Sequence, residues 1–204
     1  MSMDVELARQ IVERHALPPG RHVESVHEEP VGVVVETDTL PRVVREAAPP
    51  FGSLAVYEIG PAYHADPPKA SVGVVVMNDG ESFHLNEDEE FLAFWAATGG
   101  EVEPDVLADL LAAYHSGENP GHVVGSGRVP VARRRAAQVA AVDGCEALSS
   151  EQSGRHLRVR FCSWSIAPEP TGEDVVVVVR WDVDAEQHGP IAWAITPLAD
   201  LPAD

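Results

Sequence analysis

Valine dominates the apolar part of this chain and limits the folds open to it. The 204 residues include 30 valines but only 13 leucines. Branched side chains lose rotamer freedom in a helix, whereas they pack well on the pleated surface of a sheet. Val, Leu, Ile and Phe together make up about 26% of the chain, above the roughly 20% level below which disorder is the default. We therefore expect an ordered fold that is rich in β-structure.

The first third of the chain mixes helix and strand patterns. Apolar residues recur at helical spacing from about Asp4 to Leu17, and Pro18-Pro19-Gly20 ends this helix. The other elements predicted here are strands over Val31–Glu36 and Leu54–Ile59, and between them a short helix with Pro41 in its first turn and Val43, Val44 and Ala47 on one side.

A β-hairpin and two helices are predicted in the middle of the chain. The strands of the hairpin are Val72–Met77 and Glu81–Leu85, and the Asp79-Gly80 pair between them tolerates the positive φ of a tight turn. Two helices follow, one starting after Asn86 with an acidic first turn and one running from near Pro104 to just before Gly117.

The rest of the chain has the pattern of a β-meander. Strands are predicted over Val129–Val142 (interrupted), Arg155–Ile166, Asp174–Asp184 and Pro190–Thr196. The fold class is therefore α+β, with a largely antiparallel sheet of six to nine strands and the helices packed on one face. We expect a single domain over residues 1–204. The loop at 117–128 is the candidate for an internal boundary, and the meander spans 129–198.

Alternation along the meander predicts one apolar and one mixed face. Turns centred near Pro170 and Gln187 would place Val159, Trp181 and Trp193 in one apolar row. A single bulge would undo this register.

The mixed face carries a candidate binding site for a small anion. Its residues are Arg158, Arg160, Arg180 and Trp164. Arginine binds carboxylate and phosphate in two-pronged fashion, and an indole ring can form an aromatic wall. In the predicted register Arg160 lies beside Arg180, and Asp182 lies opposite Arg158. The helices from Asn86 to Ser116 would cover the site. The alternative is a solvated face on which the arginines pair with acids of the same chain.

The charge balance narrows the choice of partner. The chain has 33 acids against 14 bases and a net charge of −19, with Lys69 as its only lysine. Nucleic acids and anionic membranes both require a basic surface, so neither is an expected partner. The N-terminus shows no signal-peptide pattern, and the two cysteines are too few for a disulfide scaffold. We expect a cytoplasmic protein, and the sequence leaves its oligomeric state open.

Catalytic candidates are weaker than binding candidates. Glu58 lies in an apolar strand, where burial would shift a carboxylate toward general-base function, although an edge position reaching water is the alternative. Cys162 is six residues from His156, too far along one strand for the two to pair. The nine histidines show no metal-binding spacing, so no metal or cofactor is predicted.

Two hypotheses for function follow from this comparison. The first is a non-catalytic acidic binding or interaction protein, whose partner is either a basic protein or a small anionic molecule. The second is a small metal-free enzyme that uses a carboxylate, Glu58, or a histidine as its acid–base group in a cleft between sheet and helices.

Overall fold

The computed structural model describes residues 3–48, 50–62, 72–116, 120–126, 133–168 and 174–202. Over these ranges the fold is mixed α+β, with 46% strand and 22% helix, two antiparallel sheets and four helices. The predicted α+β class with antiparallel pairing is confirmed, whereas the single sheet of six to nine strands is wrong, because the strands form two separate sheets. The chain divides into two compact units, Met1–Phe91 and Leu92–Asp204. Among the described residues, no helix is both long enough and apolar enough to cross a membrane.

The helices and strands have the following bounds. The helices are α1 (Val5–His15), α2 (Asp88–Ala97), α3 (Pro104–His115) and α4 (Arg133–Ala140). The strands are β1 (Val23–Glu29), β2 (Gly32–Thr37), β3 (Arg42–Glu46), β4 (Ala55–Pro61), β5 (Val72–Val76), β6 (Ser82–His84), β7 (His122–Val123), β8 (Ser149–Ser153), β9 (His156–Pro168), β10 (Asp174–Glu186) and β11 (Ile191–Pro202).

The first unit is an antiparallel meander with one helix packed against it. Its six strands pair in chain order from β1 to β6. The predicted first helix is confirmed as α1, and the Asp4 side chain caps it by accepting a hydrogen bond from the N–H of Glu6 at 2.9 Å. One stripe of α1 packs against four valines and one isoleucine of the sheet, in a core formed by Ala8, Ile11, Val12, Val33, Val35, Val44, Ile59 and Val74.

The predicted short helix from Pro41 is wrong, because this segment forms strand β3. Val43 pairs with Val34 of β2, and these branched side chains fit the sheet. The hydroxyl of Thr37 accepts hydrogen bonds from the N–H groups of Thr39 and Leu40, at 3.3 and 3.2 Å. The threonine thus forms the turn that sends the chain back along β2, where the sequence suggested a helix start.

The predicted hairpin is confirmed as β5 and β6. The N–H of Met77 donates to the carbonyl of Glu81 at 2.7 Å, and Gly80 has a φ of +88°. A residue with a Cβ would be strained at that φ, which is the physical reason for glycine in this turn.

The second unit is built around a sheet with the strand order β11-β10-β9-β7, and β8 also pairs with β9. Phe161 and Trp181 stack in its core with ring centroids 5.5 Å apart. The indole N–H of Trp181 donates to the hydroxyl of Ser163 at 2.9 Å, which satisfies both buried groups. The His115 ring of α3 contacts Trp193 at 5.1 Å between centroids, and Trp193 lies opposite Val183. Helix α3 therefore lies on the apolar face of this sheet.

The observed register differs from the predicted one by two residues in both hairpins. Trp181 pairs with Phe161 and with Ile195, where Val159 and Trp193 were expected. Side chains alternate with a period of two, so a shift of two keeps every residue on its predicted face. The predicted apolar face is correct although its pairs are not.

The interrupted strand predicted over Val129–Val142 is wrong for its described part. Residues 133–140 form helix α4, whose alanine- and arginine-rich sequence has high helix propensity. Residues 127–132 and 117–119, which include parts of the predicted strand and loop, lie outside the described residues.

Candidate functional site

The predicted arginine cluster lies on the face of the second sheet that is opposite α3. Neighbouring strands form rows across this face: Arg158 lies between Glu151 of β8 and Asp184 of β10, and Arg160 lies between Ser149 and Asp182. The structure therefore brings the three arginines onto one surface, as the alternation predicted. A helical lid formed by α3 over this surface is wrong, since α3 packs on the other face.

Each arginine on this face forms an ion pair with an aspartate of the same sheet. Arg158 Nε donates to Asp184 Oδ2 at 3.2 Å. Asp182 binds two arginines: its Oδ1 accepts from Arg160 Nε at 2.6 Å and its Oδ2 accepts from Arg180 Nε at 3.0 Å. The hydrogen bond from Arg160 is the main cause that holds the pKa of Asp182 below its usual value, and the one from Arg180 adds to it.

These pairs define a shallow groove of about 330 Å³ with both signs of charge. Among the described residues it is lined by Ser149, Glu151, Arg158, Val159, Arg160, Asp182, Val183 and Asp184. Three of these residues are acids and two are bases, so the lining does not favour an anion over a cation. Because the lining carries three acids and two bases, the groove gives little support to a binding site for a small anion.

Trp164 does not line this groove. Its side chain is 7% exposed and packs in a small core with Val139 of α4, Val176 and Val178. The Arg135 guanidinium lies 5.7 Å from the centroid of its ring, a cation–π geometry. Trp164 lies four positions after Arg160, roughly 13 Å along a strand.

Glu58, the carboxylate candidate for general base, is bound to an arginine. It lies opposite Arg45 in the β3–β4 ladder, and its Oε2 accepts from Arg45 Nε at 2.9 Å. The carboxylate of Glu58 is therefore already engaged in an ion pair with Arg45. The proposed catalytic role of Glu58 thus gains no support from its surroundings.

The sequence did not predict that two distant histidines would meet in the first unit. His15 at the end of α1 and His84 in β6 stack with ring centroids 6.0 Å apart, and His15 Nε2 lies 2.9 Å from the hydroxyl of Ser82. Burial lowers the pKa of His15 to about 4 and also lowers the pKa of His84. The two residues are 69 positions apart, so spacing along the chain gave no signal.

The two cysteines lie close together. Cys162 is buried and Cys145 half-buried, and both are free thiols. Burial, together with the neighbouring Cys162, raises the pKa of Cys145 to about 12, so this thiol is protonated and a poor nucleophile at neutral pH. Among the described residues, no cluster of three or more His, Cys, Asp and Glu side chains could hold a metal ion.

Comparisons with known proteins assign no family to this chain. A scan against protein-family models and searches of curated proteins and of solved structures found no match to this chain.

Proposed function

We propose that this chain is a non-catalytic binding protein and that its partner is a basic protein. The observation that supports the proposal most strongly is the charge of residues 79–90, which contain six acids and no lysine or arginine. Glu87, Asp88 and Glu89 are consecutive and exposed at the start of α2. An array of this kind attracts cationic surfaces and accelerates their association.

The pairing of the arginines supports a basic partner over a small anion. Arg158, Arg160 and Arg180 are each bound to an aspartate of the sheet, so an incoming anion would have to displace a carboxylate. Elsewhere Arg9, Arg21 and Arg45 are also paired with acids of the chain. Among the described residues, six of the chain's 14 bases are thus paired with its own acids, and the 33 acids leave a large surplus.

The enzyme hypothesis has less support. A general base works best when its pKa is near the working pH. His15 is lowered to a pKa of about 4, and Glu58 is bound to Arg45. A half-buried imidazole with a lowered pKa and a carboxylate that already binds a guanidinium both give this hypothesis little support.

The proposal predicts binding that depends on salt and on the acids at the start of α2. An oligolysine peptide serves as the basic probe, and fluorescence anisotropy measures its affinity at several salt concentrations. We expect the affinity to fall steeply as salt rises. We also expect the triple variant Glu87→Gln, Asp88→Asn, Glu89→Gln to bind several-fold more weakly than the original chain.

A matched control separates the local array from bulk charge. The triple variant Glu101→Gln, Asp143→Asn, Glu146→Gln removes the same charge from exposed positions in the second unit. Equal loss of affinity in the two triple variants would show that residues 79–90 are not the binding site. Affinity that does not change with salt would count against the acidic surface altogether.

A further inference from the structure

Strand β11 presents an open edge of the second sheet. Among the described residues, β10 is the strand that pairs with it. The N–H of Glu186 donates to the carbonyl of Pro190 at 2.8 Å, so these two residues form a hydrogen-bonded pair of the β10–β11 ladder. Backbone groups alternate in direction along an antiparallel strand, so Ala192 and Ala194 bond toward β10. The N–H and C=O of Ile195 therefore point away from the sheet.

The first half of β11 lacks the features that usually protect an edge. Residues 191–196 contain no charge and no proline, whereas the second half has Pro197, Asp200 and a bulge near Leu198. The other described edges are protected: β1 carries exposed glutamates, β6 and β7 are three and two residues long, and β8 is polar throughout. Long apolar edges are templates for pairing with another strand.

The two carboxylates directly inward of Ala192 and Ala194 are both paired with arginines, which matters for a chain of net charge −19. Asp182 and Asp184 lie one strand inward, opposite Ala194 and Ala192, and the ion pairs with Arg160, Arg180 and Arg158 neutralise both aspartates. Like charges facing each other across a ladder are unfavourable. These two aspartates therefore add little to the repulsion between two acidic copies that approach through this edge.

The exposed side chains add apolar area to the edge. Ile195 is 41% exposed, and Ala192 and Ala194 are exposed as well. An antiparallel pairing of two identical strands is self-complementary about a two-fold axis.

We infer that the first half of β11 pairs with β11 of a second copy of this chain and joins the two sheets into one. A basic partner is less suited to this edge, since residues 191–196 offer it no carboxylate. The inference goes beyond the proposed function and rests on different residues.

Multi-angle light scattering after size-exclusion chromatography tests the inference. The monomer has a mass of 21.9 kDa, and we expect the original chain to have about twice that mass. Ile195→Lys places a charge on the edge, and Ile195→Pro removes its outward N–H; both variants should be monomeric. Val31→Lys, which makes the same change at an exposed valine of the first unit, should leave the dimer intact.

Hydrogen exchange locates the interface directly. In a dimer joined through β11, the Ile195 amide should exchange slowly although it points away from β10. This measurement uses the original chain, so it decides the question even if circular dichroism shows that a variant fails to fold. A monomeric original chain, a dimer that persists in both folded Ile195 variants, or fast exchange of the Ile195 amide in a dimer would each overturn the inference.

The salt dependence keeps this test separate from the proposed function. Salt screens the repulsion between two acidic copies, so the dimer should strengthen as salt rises, whereas binding of the basic probe should weaken. Failure of one proposal therefore leaves the other standing.

Discussion

His15 shows how the fold changes the chemistry of a single residue. Its ring lies against His84 and beside the Ser82 hydroxyl, 2.9 Å from Nε2, in surroundings that disfavour a positive charge. The neutral form is therefore the one that fits the folded protein. Asp182 is the opposite case, because two guanidinium groups stabilise its charged form.

Lowered histidine pKa values predict a loss of stability in mild acid. Above pH 6.5, the pKa of His15 in the unfolded chain, the imidazole is neutral in both states and does not affect the free energy of unfolding. As pH falls from 6.5 toward 4, His15 is protonated in the unfolded chain but stays neutral in the folded protein. The free energy of unfolding therefore decreases. Allowing for solvent screening at this half-buried site, we expect a loss of about 1–2 kcal/mol from this residue.

Urea unfolding between about pH 7 and pH 4.5 measures this effect. The variant His15→Gln should lose less stability over this range than the original chain. His27→Gln, the same substitution at an exposed histidine, serves as the control for the replacement itself. Identical pH profiles for the original chain and His15→Gln would contradict the prediction.

Strands β9 and β10 form the structural centre of the second unit. Their long ladder carries the stacked Phe161 and Trp181 on one side and the paired arginines and aspartates on the other. Two residues of a strand that share a face are two positions apart, so one ladder can hold an apolar core and a charged surface at once. The charged residues fit this scheme because each arginine has an aspartate within reach.

The buried hydrogen bond between Trp181 and Ser163 gives a prediction at this scale. Ser163→Ala leaves the buried indole N–H without its acceptor, and we expect a loss of about 1–3 kcal/mol in the free energy of unfolding. The double variant with Trp181→Phe should cost less than the sum of the single variants, because the unsatisfied donor is then absent. Ser153→Ala, at an exposed position of β8, should be nearly neutral. Strict additivity in the cycle would refute the energetic role of this bond.

At the scale of the whole molecule, the excess of acids sets the electrostatic behaviour. A net charge of −19 produces repulsion throughout the folded chain, while the paired arginines offset only a part of it. Salt screens both the repulsion and the attraction within the ion pairs. The larger of the two decides whether added salt stabilises or destabilises the folded protein. The surplus of acids makes repulsion the larger effect here.

The melting temperature should therefore rise when sodium chloride is added to a low-salt buffer. Most of the change should occur below about 0.15 M, where the Debye length falls to roughly 8 Å. Differential scanning calorimetry at several salt concentrations measures it. A melting temperature that falls with salt would mean that the attractive pairs outweigh the repulsion.

The sequence by itself determined the elements whose signals are local. Helix α1, the hairpin at Gly80 and the two faces of the meander follow from periodicity and turn chemistry, which depend on neighbouring residues. Only the tertiary structure decided the register, the strand at residues 42–46, the partners of the arginines and the meeting of His15 with His84. These features depend on which distant segments come together. That choice is made by packing and hydrogen bonding across the sheets, which no local pattern encodes.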